Sequence, residues 1–134
     1  MSVEIEISLA PDHIRLDCSG TCSTLSELKA VFQQAVTLAR DNQRRKILIL
    51  ANAVRGELTT QDRYEGARFL TDQVFHAPEW ISAIAVVGQP PLIDPARFGE
   101  TVARNRGING RVFTDQDEAV AWIASAGLGK TQSS

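Results

Sequence analysis

Apolar and polar residues alternate in two short segments at the start of the chain. In residues 3–9 every second position is apolar, with glutamates at two of the positions between. In residues 14–18, Ile14, Leu16 and Cys18 alternate with charged residues. A period of two is typical of a half-buried β-strand. Because only Pro11 and its neighbours separate the segments, the pattern predicts an antiparallel hairpin.

The pattern then changes to helical spacing. Residues 19–21 (Ser-Gly-Thr) predict a turn, and Thr24 with Glu27 fits a capping box, in which each side chain accepts a hydrogen bond from a free backbone N–H of the first turn. A helix from about residue 25 to residue 41 is predicted by one apolar stripe. The stripe contains Leu25, Leu28, Val31, Phe32, Ala35, Leu38 and Ala39.

Two apolar segments show no alternation at all. They are residues 47–51 and 81–88, and unbroken apolar segments of this length are typical of inner strands covered on both faces. Between them, residues 60–76 predict a helix that Pro78 ends, with one apolar face formed by Tyr64, Ala67, Leu70 and Val74.

The last third of the chain predicts two more helices and one strand. Two proline clusters precede a helix over about residues 95–106, which Gly107 ends. Residues 111–114 predict a short strand. A last helix follows, capped by Thr114 with Asp117, and residues 127–134 predict a poorly ordered tail.

The order of these elements is ββαβαβαβα. Strands that alternate with helices form parallel sheets with right-handed crossovers, and the opening hairpin makes this sheet mixed. We therefore predict an α/β fold with a single mixed, mainly parallel sheet of about five strands and about four helices. The length of 134 residues predicts one domain, residues 1–126, followed by the tail.

Composition and charge exclude several classes of function. A formal net charge of −2 gives no electrostatic case for binding nucleic acid or an anionic membrane. The alternating first segment is neither a signal peptide nor a membrane span, so we expect a cytoplasmic protein. Cys18 and Cys22 match neither the redox C-x-x-C nor a four-ligand zinc site. We expect Cys18 in the core, Cys22 in a loop, and no metal or cofactor.

No catalytic constellation is recognisable. Neither His13 nor His76 has a neighbour that would make it a catalytic base, and the final GLGKTQSS lacks the spacing of a phosphate-binding loop. We interpret the basic cluster at residues 40–46 as cations near a helix C-terminus rather than as a binding patch. The chain is therefore predicted not to be an enzyme.

Three stretches carry a resemblance to a known family: GELTTQDR (56–63), VVGQPPLIDPARFGETVARNRGING (86–110) and RVFTDQDEAVAWI (111–123). With the element order, they resemble the STAS-like proteins, named for sulfate transporters and anti-sigma-factor antagonists, and in particular the small SpoIIAA-like group. The resemblance implies the fold predicted above. In the phosphorylated antagonists, a serine at a helix start after an inner strand accepts the phosphate. Here that junction contains no serine, and only Thr59 or Thr60 could replace it.

The junction between the first inner strand and the following helix is the candidate site. Open parallel sheets bind ligands at the carboxyl ends of their strands, and helix N-termini attract anions. A simpler interpretation stays open, in which Thr59 caps the helix, Gly56 makes the turn, and Glu57 and Asp62 favour the helix dipole. The candidate interaction or ligand surface comprises Arg55, Gly56, Glu57, Thr59, Thr60, Asp62 and Arg63.

Three functions are compatible with these observations. The first is a non-enzymatic regulatory or protein-interaction module, whose partner is another protein or a second copy of the chain. The second is a carrier of a small hydrophobic ligand or an anion. The third is a phospho-switch antagonist. Phe75, Trp80 and Pro90–Pro91 are candidate exposed apolar residues, and Asp94, Arg97, Glu100 and Arg104 are candidate helix-surface ion pairs.

Overall fold

Five strands form one sheet with three helices against it in the computed structural model, which describes residues 3–56, 58–75, 81–89 and 109–133. The strand order in space, β1-β2-β3-β4-β5, follows the order in the sequence. The elements are β1 (Val3–Leu9), β2 (Ile14–Thr21), α1 (Leu25–Asp41), β3 (Lys46–Arg55), α2 (Thr60–Phe75), β4 (Ala83–Val87), β5 (Gly110–Phe113) and α3 (Gln116–Ser133).

The sheet is mixed and mainly parallel. β1 pairs antiparallel with β2, whereas β2 with β3, β3 with β4, and β4 with β5 pair in parallel. The predicted α/β fold class is therefore confirmed. Both unbroken apolar segments contribute inner strands, β3 and β4, as their composition predicted.

Helices cover both faces of the sheet, which explains the missing alternation in β3. Ile47 and Ile49 belong to a core beneath α1 and α2, whereas Leu48 and Leu50 belong to a second core beneath α3. Consecutive residues of a strand point to opposite faces, so a strand between two helical layers needs apolar residues at every position.

β1 forms one edge of the sheet, and its apolar side is covered only in part. Val3 and Ile5 pack against the core beneath α1 and α2. Farther along the strand, Ile7 is 42% exposed and Leu9 is 51% exposed. The predicted strand is therefore present, but the second half of its apolar side faces solvent.

Helix capping agrees with the sequence at α1 and differs at α3. The predicted capping box of α1 is present, and Glu27 accepts from the backbone N–H of Ser23 at 2.8 Å. At α3 the predicted cap by Thr114 is wrong, because Asp115 Oδ1 accepts from Asp117 N at 2.8 Å and the helix begins at Gln116. A carboxylate at this position satisfies the free N–H groups of the first turn.

Two predicted loop segments are strand instead. The predicted turn at residues 19–21 belongs to β2, and residues 52–55 of the predicted junction belong to β3. The two segments pair with each other after a register shift between Asp17 and Ser19. Between these pairs β3 contains one residue more than β2, as in a β-bulge, and pairing continues beyond it. Residue patterns alone do not reveal such a shift.

Two cations of the basic cluster hold the fold together. Arg44 Nε donates to the carbonyl oxygen of Ala10 at 2.6 Å. The Lys46 residue is buried, and its Nζ donates to the carbonyl oxygen of Ile123 at 2.9 Å and to Asp12 Oδ2 at 3.2 Å. These contacts favour the structural interpretation of the cluster over a binding patch.

Several predictions fall outside the described residues. They are the helix over 95–106, His76, Trp80, Pro90–Pro91, the side chain of Phe75, and the ion pairs among Asp94, Arg97, Glu100 and Arg104. The backbone of α3 continues in helical form to Ser133, whereas the sequence predicts a tail from residue 127. The order of that segment in solution stays a prediction.

Candidate interaction surface

The carboxyl ends of four strands lie along one edge of the sheet, because β2 to β5 run in parallel. A polar network joins the ends of β4 and β5 to β3. Gln89 Nε2, just beyond β4, donates to the carbonyl oxygen of Thr114 at 2.7 Å and to Asn52 Oδ1 at 3.3 Å. Gly88 N also donates to the carbonyl oxygen of Phe113 at 3.0 Å. The ends of β4 and β5 are therefore fixed relative to each other and to β3 at Asn52.

The exit of β3 is also tied to the exit of β2. Arg55 pairs with Thr21, and the next residue after β2, Cys22, donates its backbone N–H to the carbonyl oxygen of Arg55 at 2.8 Å. Gly56 follows with φ of 143°, and a Cβ at this position would lie 2.0 Å from the carbonyl oxygen of Cys22. A glycine is required at this close approach of two chain segments.

The start of α2 is anchored on its inner side and exposed on its outer side. Leu58 is buried in the core, and Thr59 Oγ1 accepts from the backbone N–H of Asp62 at 2.9 Å. Thr59 is therefore the N-cap that its sequence context predicted. Thr60, the first residue of the helix, is exposed.

Arg63 folds back over the first turn of α2. Its guanidinium donates to the carbonyl oxygen of Leu58 at 3.0 Å and to Thr60 Oγ1 at 3.3 Å. These two hydrogen bonds hold a positive charge beside the exposed hydroxyl of Thr60. The first turn of α2 consequently presents an ordered polar surface.

The outer side of α2 continues this surface. Gln61, Tyr64 and Arg68 are all exposed, and their spacing of three and four residues places them on one side of the helix. Tyr64 is 41% exposed, and the Arg68 guanidinium carbon lies 6.0 Å from the centre of its ring. We call Tyr64, Arg68 and the first turn of α2 (Thr60–Arg63) the α2 surface.

Six of the seven candidate residues lie within the described part of the chain. Thr59, Thr60, Asp62 and Arg63 meet at the first turn of α2, and Arg55 with Gly56 precedes them at the end of β3. Glu57 lies outside the described residues. That these residues bind a partner or ligand stays a prediction.

Sequence reasoning left out two parts of this edge. The contact between Gln89 and Asn52 joins residues 37 positions apart, and no local pattern reveals it. Tyr64 was assigned to the apolar stripe of a helix, yet its ring is substantially exposed. Each of the two unbroken apolar segments, 47–51 and 81–88, is followed directly by a polar amide residue, and this is the signal that would have indicated the Asn52–Gln89 contact.

Both cysteines are buried thiols. Burial, with a smaller contribution from the Asp17 carboxylate, raises the pKa of Cys18 to about 11. Burial and the nearby Glu27 carboxylate raise the pKa of Cys22 to about 11 as well. Since the thiolate is the reactive form, both side chains are poor nucleophiles at neutral pH. Within the described ranges, no cluster of three or more His, Cys, Asp and Glu side chains could hold a metal ion.

The fold is similar to that of a known regulatory protein. An anti-sigma factor antagonist from Mycobacterium paratuberculosis, known from a crystal structure, matches this chain with a TM-score of 0.59. The match covers 92% of this chain and 95% of that chain at 15% sequence identity. No protein-family model and no curated protein sequence matches the chain. The predicted STAS-like fold is therefore confirmed at the level of architecture.

In the part of the chain that the structure describes, no helix is both long and apolar enough to span a membrane.

Proposed function

We propose that the chain is a non-enzymatic, cytoplasmic regulatory module that binds another protein through the α2 surface and the adjoining Arg55. The observation that carries this proposal is the exposed Tyr64, which continues the ordered polar turn at the start of α2. The matched antagonist has the same architecture, and its name describes a protein that acts on an anti-sigma factor. Regulation by protein contact is therefore compatible with this fold.

The composition of the α2 surface supports protein contact over catalysis. Tyrosine and arginine are enriched among the residues that dominate binding energy at protein interfaces. Tyr64 and Arg68 combine exposure with a mutual contact that limits their freedom before binding. Less conformational entropy is then lost on association, which favours affinity.

The test is recovery of partners from the native cell with the tagged protein, followed by quantitative mass spectrometry. We expect Tyr64→Ala and Arg55→Ala to reduce recovery of at least one specific partner about tenfold, the loss that about 1.4 kcal/mol of binding energy produces. Glu118→Gln, at an exposed position of α3 outside the α2 surface, is the matched control and retains the partner. If both surface variants recover every partner as well as wild type does, the α2 surface is not the contact site.

A phospho-switch is a second candidate, and the contact between Arg63 and Thr60 favours it. A phosphoryl group on the exposed Thr60 would meet the guanidinium that already lies 3.3 Å from its hydroxyl. Intact-mass measurement after incubation with host lysate and ATP tests this function. Addition of one phosphoryl group to wild type, and none to Thr60→Ala, supports it. An unchanged wild-type mass rejects it.

A further inference from the structure

We infer that the free edge of β1 is a self-association site, at which two copies of the chain pair antiparallel and join their two five-stranded sheets into one. β1 is the first strand in the sheet order, and among the described strands it pairs only with β2. Two of the three large apolar side chains exposed in the described part, Ile7 and Leu9, lie on it. This inference uses a different surface from the proposed function.

The hydrogen-bonding groups of β1 are correctly oriented for such pairing. Ala10 N donates to the carbonyl oxygen of His13, which identifies Ala10–His13 as a hydrogen-bonded pair of the hairpin. Hydrogen-bonded and non-bonded pairs alternate along an antiparallel ladder, so Ile5, Ile7 and Leu9 direct their N–H and C=O groups away from β2. A second strand at the edge would accept and donate these hydrogen bonds.

One register is self-complementary. With Ile7 opposite Ile7 of the second copy, Ile5 lies opposite Leu9 of that copy and Glu6 lies opposite Ser8. The exposed apolar side chains then contact one another across the two-fold axis. No like charges lie opposite each other. Cross-strand apolar pairs of this kind stabilise sheets by roughly 0.2–1 kcal/mol each.

The neighbouring registers that keep the same hydrogen bonds are less favourable. Centring the pair on Glu6 places the two Glu6 carboxylates directly opposite each other, which destabilises the pair. Centring it on Ser8 moves Glu4 beyond the paired region, and the strands overlap over fewer residues. The register centred on Ile7 is therefore the one that the sequence of β1 selects.

Charged side chains on the face of the sheet opposite Ile7 favour the same register. Ser8 pairs with Arg15 of β2, so Glu6 of the second copy would approach Arg15 across the small Ser8 side chain. The Arg15 side chain is 37% exposed, and its Nε lies 3.0 Å from Asp17 Oδ2 on the same strand. A second carboxylate can therefore reach the exposed side of the guanidinium.

β1 lacks most of the features that usually prevent edge pairing. Edge strands are commonly protected by charged side chains, lysine above all, by proline, by a bulge or by a very short length. β1 has seven residues in unbroken register with β2, with neither proline nor lysine among them. Its two glutamates lie at positions that the Ile7-centred register accommodates.

Sedimentation velocity of the full chain over a range of concentrations tests the inference. We expect wild type to form a dimer and Ile7→Pro to weaken it at least tenfold. Proline removes an outward N–H and leaves the β1–β2 hydrogen bonds in place. Tyr64→Lys is the matched control, because Tyr64 has almost the same exposure as Ile7, 41% against 42%, and lies on α2. A monomeric wild type, or a dimer that Tyr64→Lys rather than Ile7→Pro disrupts, overturns the inference.

Leu9→Glu is a second variant in case Ile7→Pro does not fold, since Leu9 is half exposed and the backbone is unchanged. We expect it to weaken the dimer as well, and far-UV circular dichroism checks that both variants are folded. A dimer that persists in a folded Leu9→Glu variant at wild-type strength contradicts the inference.

Disulfide cross-linking tests the register separately. Under an added oxidant, Ile7→Cys should form a covalent dimer in high yield, because the two-fold axis brings the two side chains together. Glu6→Cys should not, since its opposite residue is Ser8. Cys18 and Cys22 are buried, so they should add little cross-linking of their own between copies. Efficient cross-linking of Glu6→Cys with none of Ile7→Cys would refute the proposed register.

Discussion

The backbone N–H of Cys22 donates a 2.8 Å hydrogen bond to the carbonyl oxygen of Arg55. This bond ties the end of β2 to the end of β3 at the point where the chain turns toward α2. Gly56 follows at once with a positive φ, and its Cα lies against the Cys22 carbonyl group. The position of the α2 surface therefore depends on a contact that only glycine permits.

Replacing Gly56 with alanine should destabilise the protein by about 2–3 kcal/mol. The cost arises from a backbone conformation that residues with a Cβ rarely adopt and from the clash with the Cys22 carbonyl oxygen. Urea unfolding followed by circular dichroism measures the change.

Gly66→Ala is the control for that measurement. A Cβ there would meet Leu28 Cδ2 at 2.2 Å, but this atom is the end of a flexible side chain and alanine favours the helix. The loss should be smaller than at Gly56. An equal or larger loss at Gly66 would show that the contact with Cys22 is not the dominant constraint.

Thr59→Ala should cost about 1 kcal/mol of stability, because it removes the hydroxyl that accepts from Asp62 N at the start of α2. Thr59→Ser keeps an accepting hydroxyl, so its free energy of unfolding should stay close to that of wild type. Thermal and urea unfolding of both variants measure the difference. Equal losses in the two variants would mean that the methyl group, and not the cap, stabilises this turn.

Lys46→Met should destabilise the fold by about 1–2 kcal/mol. The change keeps an apolar side chain of similar length but removes the hydrogen bonds to Ile123 and Asp12. Asp12→Ala should cost less than about 1 kcal/mol, because this carboxylate is 46% exposed. Urea unfolding should therefore rank Lys46→Met as the more damaging change, and the reverse order would contradict the assigned role of the α3 carbonyl groups.

Stability should fall as the pH rises from about 9 to about 11. The pKa of each cysteine is near 11 in the folded protein, against an ordinary value of 9.0. Across this window the unfolded chain releases thiol protons that the folded chain keeps, so the free energy of unfolding decreases with pH. Below that window the thiols are protonated in both states and contribute no pH dependence.

The double variant Cys18→Ala/Cys22→Ala isolates this effect from lysine and tyrosine titration. Its free energy of unfolding should fall less steeply over the same pH range than that of wild type. Parallel slopes for the two proteins would show that the folded thiols titrate normally.

Local patterns predicted the elements whose signals are local. The bounds of α1 and its capping box follow from Thr24, Glu27 and the apolar stripe, and all are observed. The inner positions of β3 and β4 follow from their unbroken apolar composition. In each case the residues that determine the structure lie in the same helix or the same strand, or directly beside it.

Apart from the cap of α3, which lies one residue later than predicted, predictions were wrong where a distant partner decides the outcome. Ser19 and Gly20 favour a turn, yet pairing with Ala53 and Val54 keeps them in β2. The same pairing turns the first part of the predicted junction into strand. That the candidate surface binds a partner stays a prediction. The exposure of Tyr64 within it depends on how α2 packs, which helical spacing alone does not determine. Whether the chain carries a small ligand stays a prediction.

The strand order bears on how the chain is made. Since each described strand lies beside the strand that precedes it in the sequence, no later strand has to insert between two that are already paired. A chain emerging from the ribosome can add β2 to β1, then β3, β4 and β5 in turn. During synthesis, each described strand from β2 onward can therefore pair with a strand that has already left the ribosome.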